Sequence, residues 1–285
     1  MDTVQRLTAW LLRCLYSRYV PHPVRNLLRL QFELVRRGGM PAVVQAPAAC
    51  RVLVLAPHMD DEVFACGGTL AKCIGSGGEV VVVYLTDGSK GYKREPTLAC
   101  STAELQALET RLVARRKEEA RQAGQILGLS EPIFLDLPDA ALDVTPPAIK
   151  LLSDALRRVA PDVVYLPFLT DPYPDHWITN CLFVEAALHT GLSPTVPCWG
   201  YEAWAPVVTN TIVDITDVIE AKRQAMDKFV SQITDYDYPR AMLGLNAYRS
   251  LLNGRGQGFA EAFYTVDFAL YRGLYEAVVV RRRRF

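Results

Sequence analysis

His58-Met59-Asp60-Asp61-Glu62 places one imidazole beside three carboxylates within five residues. Acids that close repel one another, and a cation is the simplest partner that would hold them together. The stretch therefore reads as part of a metal site. Four histidines are present. His22 lies between two prolines, and His189 falls at the carboxyl end of a predicted helix, where an imidazolium suits the helix dipole. Both read as structural. His58 and His176 each sit in an acid-containing turn after a strand, and both read as functional.

The elements that must position these residues follow from the apolar pattern. Residues 52–56 form a continuous apolar run rich in branched side chains, the mark of a strand buried in a parallel sheet. Pro57 blocks the ladder, and residues 63–74 fit a helix. The paired glycines Gly67 and Gly68 in that helix imply close packing, and no dinucleotide fingerprint accompanies them. Residues 80–85 form a second apolar strand. The polar loop 86–94 leaves its carboxyl end beside the first cluster, so Asp87, Ser89, Lys90, Tyr92 and Arg94 are candidates to grip a polar substrate. The alternative is an ordinary solvated loop.

A helix over 102–127 follows, in which Arg116 and Glu119 are spaced for a helical ion pair. Strands over 133–135 and 163–166 bracket a helix over 147–159. The turn holding His176 leaves the carboxyl end of strand 163–166, as His58 leaves that of strand 52–56. Two turns on the same end of parallel strands can meet in space. Beyond them come a helix over 177–189 and strands over 196–201 and 211–215. Asp217 would cap a helix running through 222–229, and a helix over 240–252 precedes a strand near 263–270. The pattern predicts a three-layer α/β/α, Rossmann-like domain with a mostly parallel sheet over residues 48–285. A basic helical appendage and linker occupy residues 1–47.

The first cluster resembles the His-Pro-Asp-Asp-Glu motif of the LmbE-like, or PIG-L-type, zinc-dependent N-deacetylases, with Met59 in place of proline. That family carries His-Pro-Asp-His after a later strand, and Tyr173-Pro174-Asp175-His176 matches it with tyrosine in the first position. Weaker echoes are Arg116-x-x-Glu119 ahead of Leu127-Gly128, and Ala260-Glu261-Ala262-Phe263. The resemblance implies Zn2+ held by His58, Asp61 and His176 with one position open for water. Such a ligand set also accepts other divalent ions. It implies that Asp60 is the general base and that Asp175 orients a neighbouring side chain. Glu62 would orient the turn or bind a sugar hydroxyl.

Tyr173 stands where the family's histidine helps the carbonyl oxygen or the leaving amine. A phenol can donate to an oxyanion, but its ordinary pKa near 10 suits proton shuttling poorly at neutral pH. Three outcomes stay open: tyrosine as donor, another acid in its place, or a degenerate site. The implied reaction removes the N-acetyl group from an N-acetylglucosamine-type sugar in a glycolipid, cell-surface glycan or glycoside precursor. A soluble antibiotic or thiol-precursor glycoside is the alternative substrate, and an impaired metal- and sugar-binding homologue the alternative class.

The remaining composition bounds partners and compartment. With 31 basic and 31 acidic residues, nothing points to nucleic acid. Seven cysteines without C-x-x-C spacing read as reduced thiols in a cytoplasm. Arg13 interrupts the only apolar stretch near the start, so no signal peptide is read there. Residues 1–37 hold seven arginines against Asp2 and Glu33, on two amphipathic patterns broken at Pro21 and Pro23. Those helices either pack on the domain or make a peripheral contact at the inner membrane face, because basic amphipathic helices bind anionic lipid. The oligomeric state is not legible in the sequence.

Overall fold

The computed structural model describes residues 40–91, 101–234 and 236–278. The predicted basic helices lie outside these residues. An eight-stranded sheet runs in the order β1-β7-β8-β6-β5-β2-β3-β4. Its strands are β1 (Ala42–Val44), β2 (Arg51–Ala56), β3 (Glu79–Thr86), β4 (Ile133–Leu137), β5 (Val163–Pro167), β6 (Pro197–Tyr201), β7 (Thr211–Asp214) and β8 (Ala260–Asp267). All pairings are parallel except those of β8, which runs antiparallel to β6 and β7.

Helices cover both faces. On one lie α1 (Asp61–Gly75) and α2 (Thr102–Leu127); on the other lie α3 (Pro146–Val159) and α4 (Pro174–Thr190). From β2 to Ala56 every side chain but Arg51 is buried, since helices press on the strand from both sides. Leu53 and Leu55 face the α3–α4 layer, whereas Val52 and Val54 face the α1–α2 layer. Each such fully buried valine or leucine contributes about 1.5–3 kcal/mol. Local signals agree with this packing. Ser101 and Glu104 form a reciprocal capping box at the start of α2, and Gly128 ends that helix at φ 79°. Thr145 caps α3, whose Ala148, Leu152, Ala155, Leu156 and Val159 form its buried stripe.

β2 continues into α1 and β3 on one side, while its other neighbour β5 continues into α4 and β6. The strand order therefore reverses between β2 and β5. Crevices beyond the carboxyl ends of strands at such a reversal are where open α/β sheets bind ligands. This is where the two clusters emerge.

The structure departs from the sequence reading at the far edge. β1 falls within the segment read as linker, so the sheet begins before residue 48. Its three residues are too few to show a period. The expected strand over 263–270 is β8, shifted to 260–267, and the chain then turns into a helix over Phe268–Val278. Asp217 caps no helix; its Oδ1 accepts from Lys72 Nζ at 2.7 Å. Asp217 itself lies in a 3-10 turn over Thr216–Val218, and the segment after it splits into α5 (Ile219–Met226) and α6 (Val230–Ile233). Among the described residues no helix is long and apolar enough to cross a membrane.

Candidate active site

Pro57 carries the chain out of the β2 ladder into a turn closed by Asp60, whose carbonyl accepts the amides of Val63 and Phe64 at 3.1 and 3.0 Å. Asp61 and Glu62 thus occupy the first turn of α1, the electropositive end of that helix. Beyond β5, Pro174 in the first turn of α4 fixes its start, and Asp175 and His176 follow.

The two turns meet. Asp61 Oδ2 accepts the main-chain N–H of His58 at 2.8 Å and lies 3.2 Å from His58 Nδ1. Asp61 Oδ1 lies 3.3 Å from His176 Nε2. The imidazole centroids are 5.4 Å apart. Ligand atoms of His58, Asp61 and His176 fall within 4.8 Å of one another, as do those of His58, Asp139 and Asp175. The outer ring nitrogens are held by carboxylates. His58 Nε2 stands 3.2 Å from Asp175 Oδ2 and 3.4 Å from Asp139 Oδ1, and His176 Nδ1 stands 3.2 Å from Asp171 Oδ2. Carboxylates behind imidazoles in this way fix the tautomer and aim of metal-binding rings.

His176 Nε2 is fully buried and makes no aligned hydrogen bond, although Asp61 is 3.3 Å away. A cation between His58, Asp61 and His176 would give that nitrogen a direct partner, and two imidazoles with one carboxylate are a donor set that suits zinc. The residues fit the ion.

Electrostatics point the same way. Burial alone would disfavour both imidazolium ions, but the surrounding carboxylates outweigh it. They raise His58 well above its ordinary value and His176 to about 9. Asp61 is held below the usual carboxylate range because its two histidines outweigh its burial. Burial pushes Asp60 up to about 6, with Arg116 opposing.

Several sequence-assigned residues sit differently from expectation. Glu62 has no exposed surface, accepts a hydrogen bond from the Tyr84 hydroxyl and is pushed up to about 8 by burial. Buried against Tyr84 of β3, its carboxyl is not presented to solvent, against the expectation that it binds a sugar hydroxyl. Asp87 Oδ1 accepts from Ser89 N at 2.9 Å, closing a local turn, while exposed Lys90 pairs its ammonium with Glu109. Arg94 and Tyr92 lie outside the described residues. Asp175 is buried and also accepts from Ala140 N at 3.0 Å. Tyr173 stands at the mouth, its ring 5.4 Å from His58 and 5.3 Å from His176.

Arg116 and Glu119 do not pair with each other. Glu119 binds Arg115 and Ser231. Arg116, only 3% exposed, reaches the carbonyls of Met59 and Gly88 at 3.3 Å and Asp60 Oδ2 at 3.4 Å. Gly88 is at φ 68°, and a Cβ there would strike Met59 Cε at 2.7 Å. Sequence reasoning missed Asp139 and Asp171. Asp171 stands two residues ahead of Tyr173 and could have been suspected; Asp139 lies in the loop after β4 with no motif around it.

Comparison with known proteins places this geometry in context. The PIG-L family, described as GlcNAc-PI de-N-acetylase, matches residues 53–187. A diacetylchitobiose deacetylase of Thermococcus kodakarensis is 32% identical over 202 residues, covering 65% of this chain and 71% of that protein. The structure of the N,N'-diacetylchitobiose deacetylase of Pyrococcus horikoshii superposes with a TM-score of 0.66 at 25% identity, over 95% of this chain and 96% of that one. A 4-carboxy-2-hydroxymuconate hydratase of Pseudomonas putida superposes at 0.62 and 26% identity, over 75% of this chain and 95% of that one.

Proposed function

The chain belongs to the PIG-L (LmbE-like) family, and from that premise we propose that it hydrolyses the N-acetyl amide of a glucosamine-type sugar. Zinc, or another divalent ion, would be held by His58, Asp61 and His176. The observation that carries the reading is the convergence of those three side chains, with the buried Nε2 of His176 left without a hydrogen-bond partner. When bound, such an ion lowers the pKa of its water to about 7 and polarises a carbonyl.

The protein's own residues supply the rest. Asp60, adjacent to a ligand but not among the three, takes the proton of the attacking water. Arg116 keeps that carboxylate in place. Asp171 holds His176, and Asp139 and Asp175 hold His58, each through the nitrogen turned away from Asp61. Tyr173 donates its hydroxyl to the carbonyl oxygen as negative charge develops there. The C–N bond then breaks, the amine takes up the proton that Asp60 received, and acetate and a free amino sugar leave.

The hydratase neighbour supports a second reading, addition of water to an unsaturated polycarboxylate. The carboxylates of Asp60, Asp61, Asp139, Asp171 and Asp175 crowd the site and would repel such an anion more than a neutral sugar. The test is amine release from N-acetylglucosamine, diacetylchitobiose and acetylated glycosides by protein stripped of metal and reloaded with zinc. Metal-dependent release is expected. A metal-loaded protein that frees no amine from any of them, yet hydrates an unsaturated diacid, overturns the deacetylase reading.

A further inference from the structure

We infer that Trp204 is a positioning residue for Tyr173: its indole holds the phenol ring at the candidate metal centre and acts on the reaction only through that ring. The inference rests on the deacetylase reading, in which Tyr173 donates to the carbonyl oxygen. It adds the side chain that keeps the donor in place.

The main chain at both aromatic residues hangs on one buried carboxylate. Asp171 Oδ1 accepts from Tyr173 N at 3.0 Å. Its Oδ2 accepts from Trp204 N at 3.0 Å and stands 3.2 Å from His176 Nδ1. The loops after β5 and β6 are thereby fixed against the same imidazole. Val207 N donates to Glu202 at 2.8 Å, and Glu202 is paired with the buried Arg249, so the second loop is held further along as well. None of these bonds reaches the Tyr173 side chain. That residue stands immediately before α4, makes no capping bond there and is 36% exposed. Its main chain alone does not choose among the staggered rotamers.

Ring contacts make that choice. Tyr173 meets His58 edge-on at 5.4 Å and His176 at 5.3 Å. Its plane lies 13° from that of Trp204, with 5.3 Å between centroids, the offset stacking that aromatic rings favour. The indole is 51% exposed, yet it is braced. Tyr238 meets it edge-on at 5.8 Å, Phe64 lies 5.9 Å from Tyr238, and the fully buried Phe229 lies 5.8 Å from Phe64. A chain of rings thus runs from Tyr173 back to Phe64 of α1, the helix whose first turn carries Asp61. The donor and the ligand turn are referred to one rigid element. A group misplaced by about 1 Å can cost about 10²-fold in rate, so loss of the indole should be felt at the carbonyl oxygen without loss of metal.

The experiment measures kcat and KM of zinc-loaded protein on diacetylchitobiose. Trp204→Leu should lower kcat by about tenfold or more, with KM within about twofold and zinc content unchanged. Trp204→Phe, which can still stack, should recover most of the rate. The main-chain bond from residue 204 to Asp171 survives both changes. In a Tyr173→Phe background, Trp204→Leu should change kcat by less than about twofold, because no hydroxyl is left to place. A residue that merely supported its loop would cost the same in both backgrounds. Fluorine NMR of fluorotyrosine-labelled protein follows the ring without turnover, the Tyr173 resonance being assigned by its loss in Tyr173→Phe. That resonance should move toward the position of exposed fluorotyrosine in Trp204→Leu and return in Trp204→Phe. The movement supports the inference even where wild type releases no amine, an outcome that would count only against the deacetylase reading. A kcat unchanged in Trp204→Leu or in Tyr173→Phe, equal losses in the two backgrounds, or a resonance indifferent to residue 204 overturns it.

Discussion

Arg116 Nη2 stands 3.4 Å from Asp60 Oδ2, although 56 residues separate them in sequence. The same guanidinium donates to the carbonyls of Met59 and Gly88, so one side chain of α2 ties the turn after β2 to the loop after β3. Asp60 is thereby placed as well as kept charged.

Removing that tie should cost activity before it costs metal. Arg116→Met is expected to lower kcat/KM by about tenfold or more with zinc content unchanged, and to destabilise by about 1–3 kcal/mol through the two orphaned carbonyls. Arg116→Lys should recover only part of the activity, because an ammonium cannot present the planar fork that spans these acceptors. Full activity in the methionine variant would remove Arg116 from the positioning of Asp60.

Asp60 and Asp61 are neighbours with different assignments, and substitution separates them. Asp60→Asn should retain zinc and lose activity by about 10²-fold or more, the scale of acid–base catalysis. Asp61→Ala and His58→Ala should lose both zinc and activity. Metal analysis beside an amine assay decides each case; an active Asp60→Asn protein would rule out the base.

How far this site was legible in the sequence depended on distance along the chain. His58, Asp60 and Asp61 announce themselves because one turn crowds their charges, and the buried runs around β2 and β5 place His176 on the same sheet edge. Asp139 and Asp171 act only through packing that brings their loops behind the two imidazoles, which no local pattern encodes. Arg116 misled for a related reason. Its spacing to Glu119 satisfies the helical ion-pair rule, but burial under two loops offers the guanidinium better acceptors than an adjacent carboxylate that Ser231 already holds. At the sheet's far edge, β1 was hidden by its three-residue length, and β8 by a register the apolar run leaves loose.

Tyr173→Phe isolates the hydroxyl from the ring. The phenyl group can still stack on Trp204, so the ring should keep its place. If the hydroxyl donates to the carbonyl oxygen, kcat should fall by about 10²-fold, as for loss of one oxyanion donor. An unchanged kcat would mean that another donor serves.

Metal binding should release protons. The carboxylates around His58 and His176 raise both imidazoles, His176 to about 9, so both are protonated in the metal-free protein at neutral pH. A divalent ion needs neutral imidazole, so apparent affinity should climb as pH rises from 6.5 toward 9. For the metal-free protein the sign reverses. Its raised histidines stabilise fully below about 6.5, and that contribution is lost as pH rises through about 9. Chelator competition and thermal melts across this range test both statements. A pH-independent affinity would mean that the imidazoles are already neutral.

The last prediction concerns the frame behind α1. Lys222 of α5 and Glu261 of β8 are both completely buried, and Lys222 Nζ donates to Glu261 Oε1 at 2.7 Å and to Asn246 Oδ1 at 2.9 Å. The same carboxylate accepts the amides of Gly68 and Thr69 at 2.9 and 2.7 Å, pinning the middle of the helix whose first turn carries Asp61. Lys222→Met would leave a buried carboxylate with amides but no counter-charge, a change that costs about 3–5 kcal/mol. Glu261→Gln would strand the ammonium instead. The double variant should be less destabilised than the two singles added together, by about 1–3 kcal/mol, because neither charge is then left alone. Denaturant unfolding of all four proteins measures that coupling. Zinc at about 100 times its Kd should return about 2.7 kcal/mol to any variant whose ligand turn is still formed. A Lys222→Met protein that zinc fails to stabilise would show that the buried pair holds Asp61 in place as well as holding the sheet to its helices.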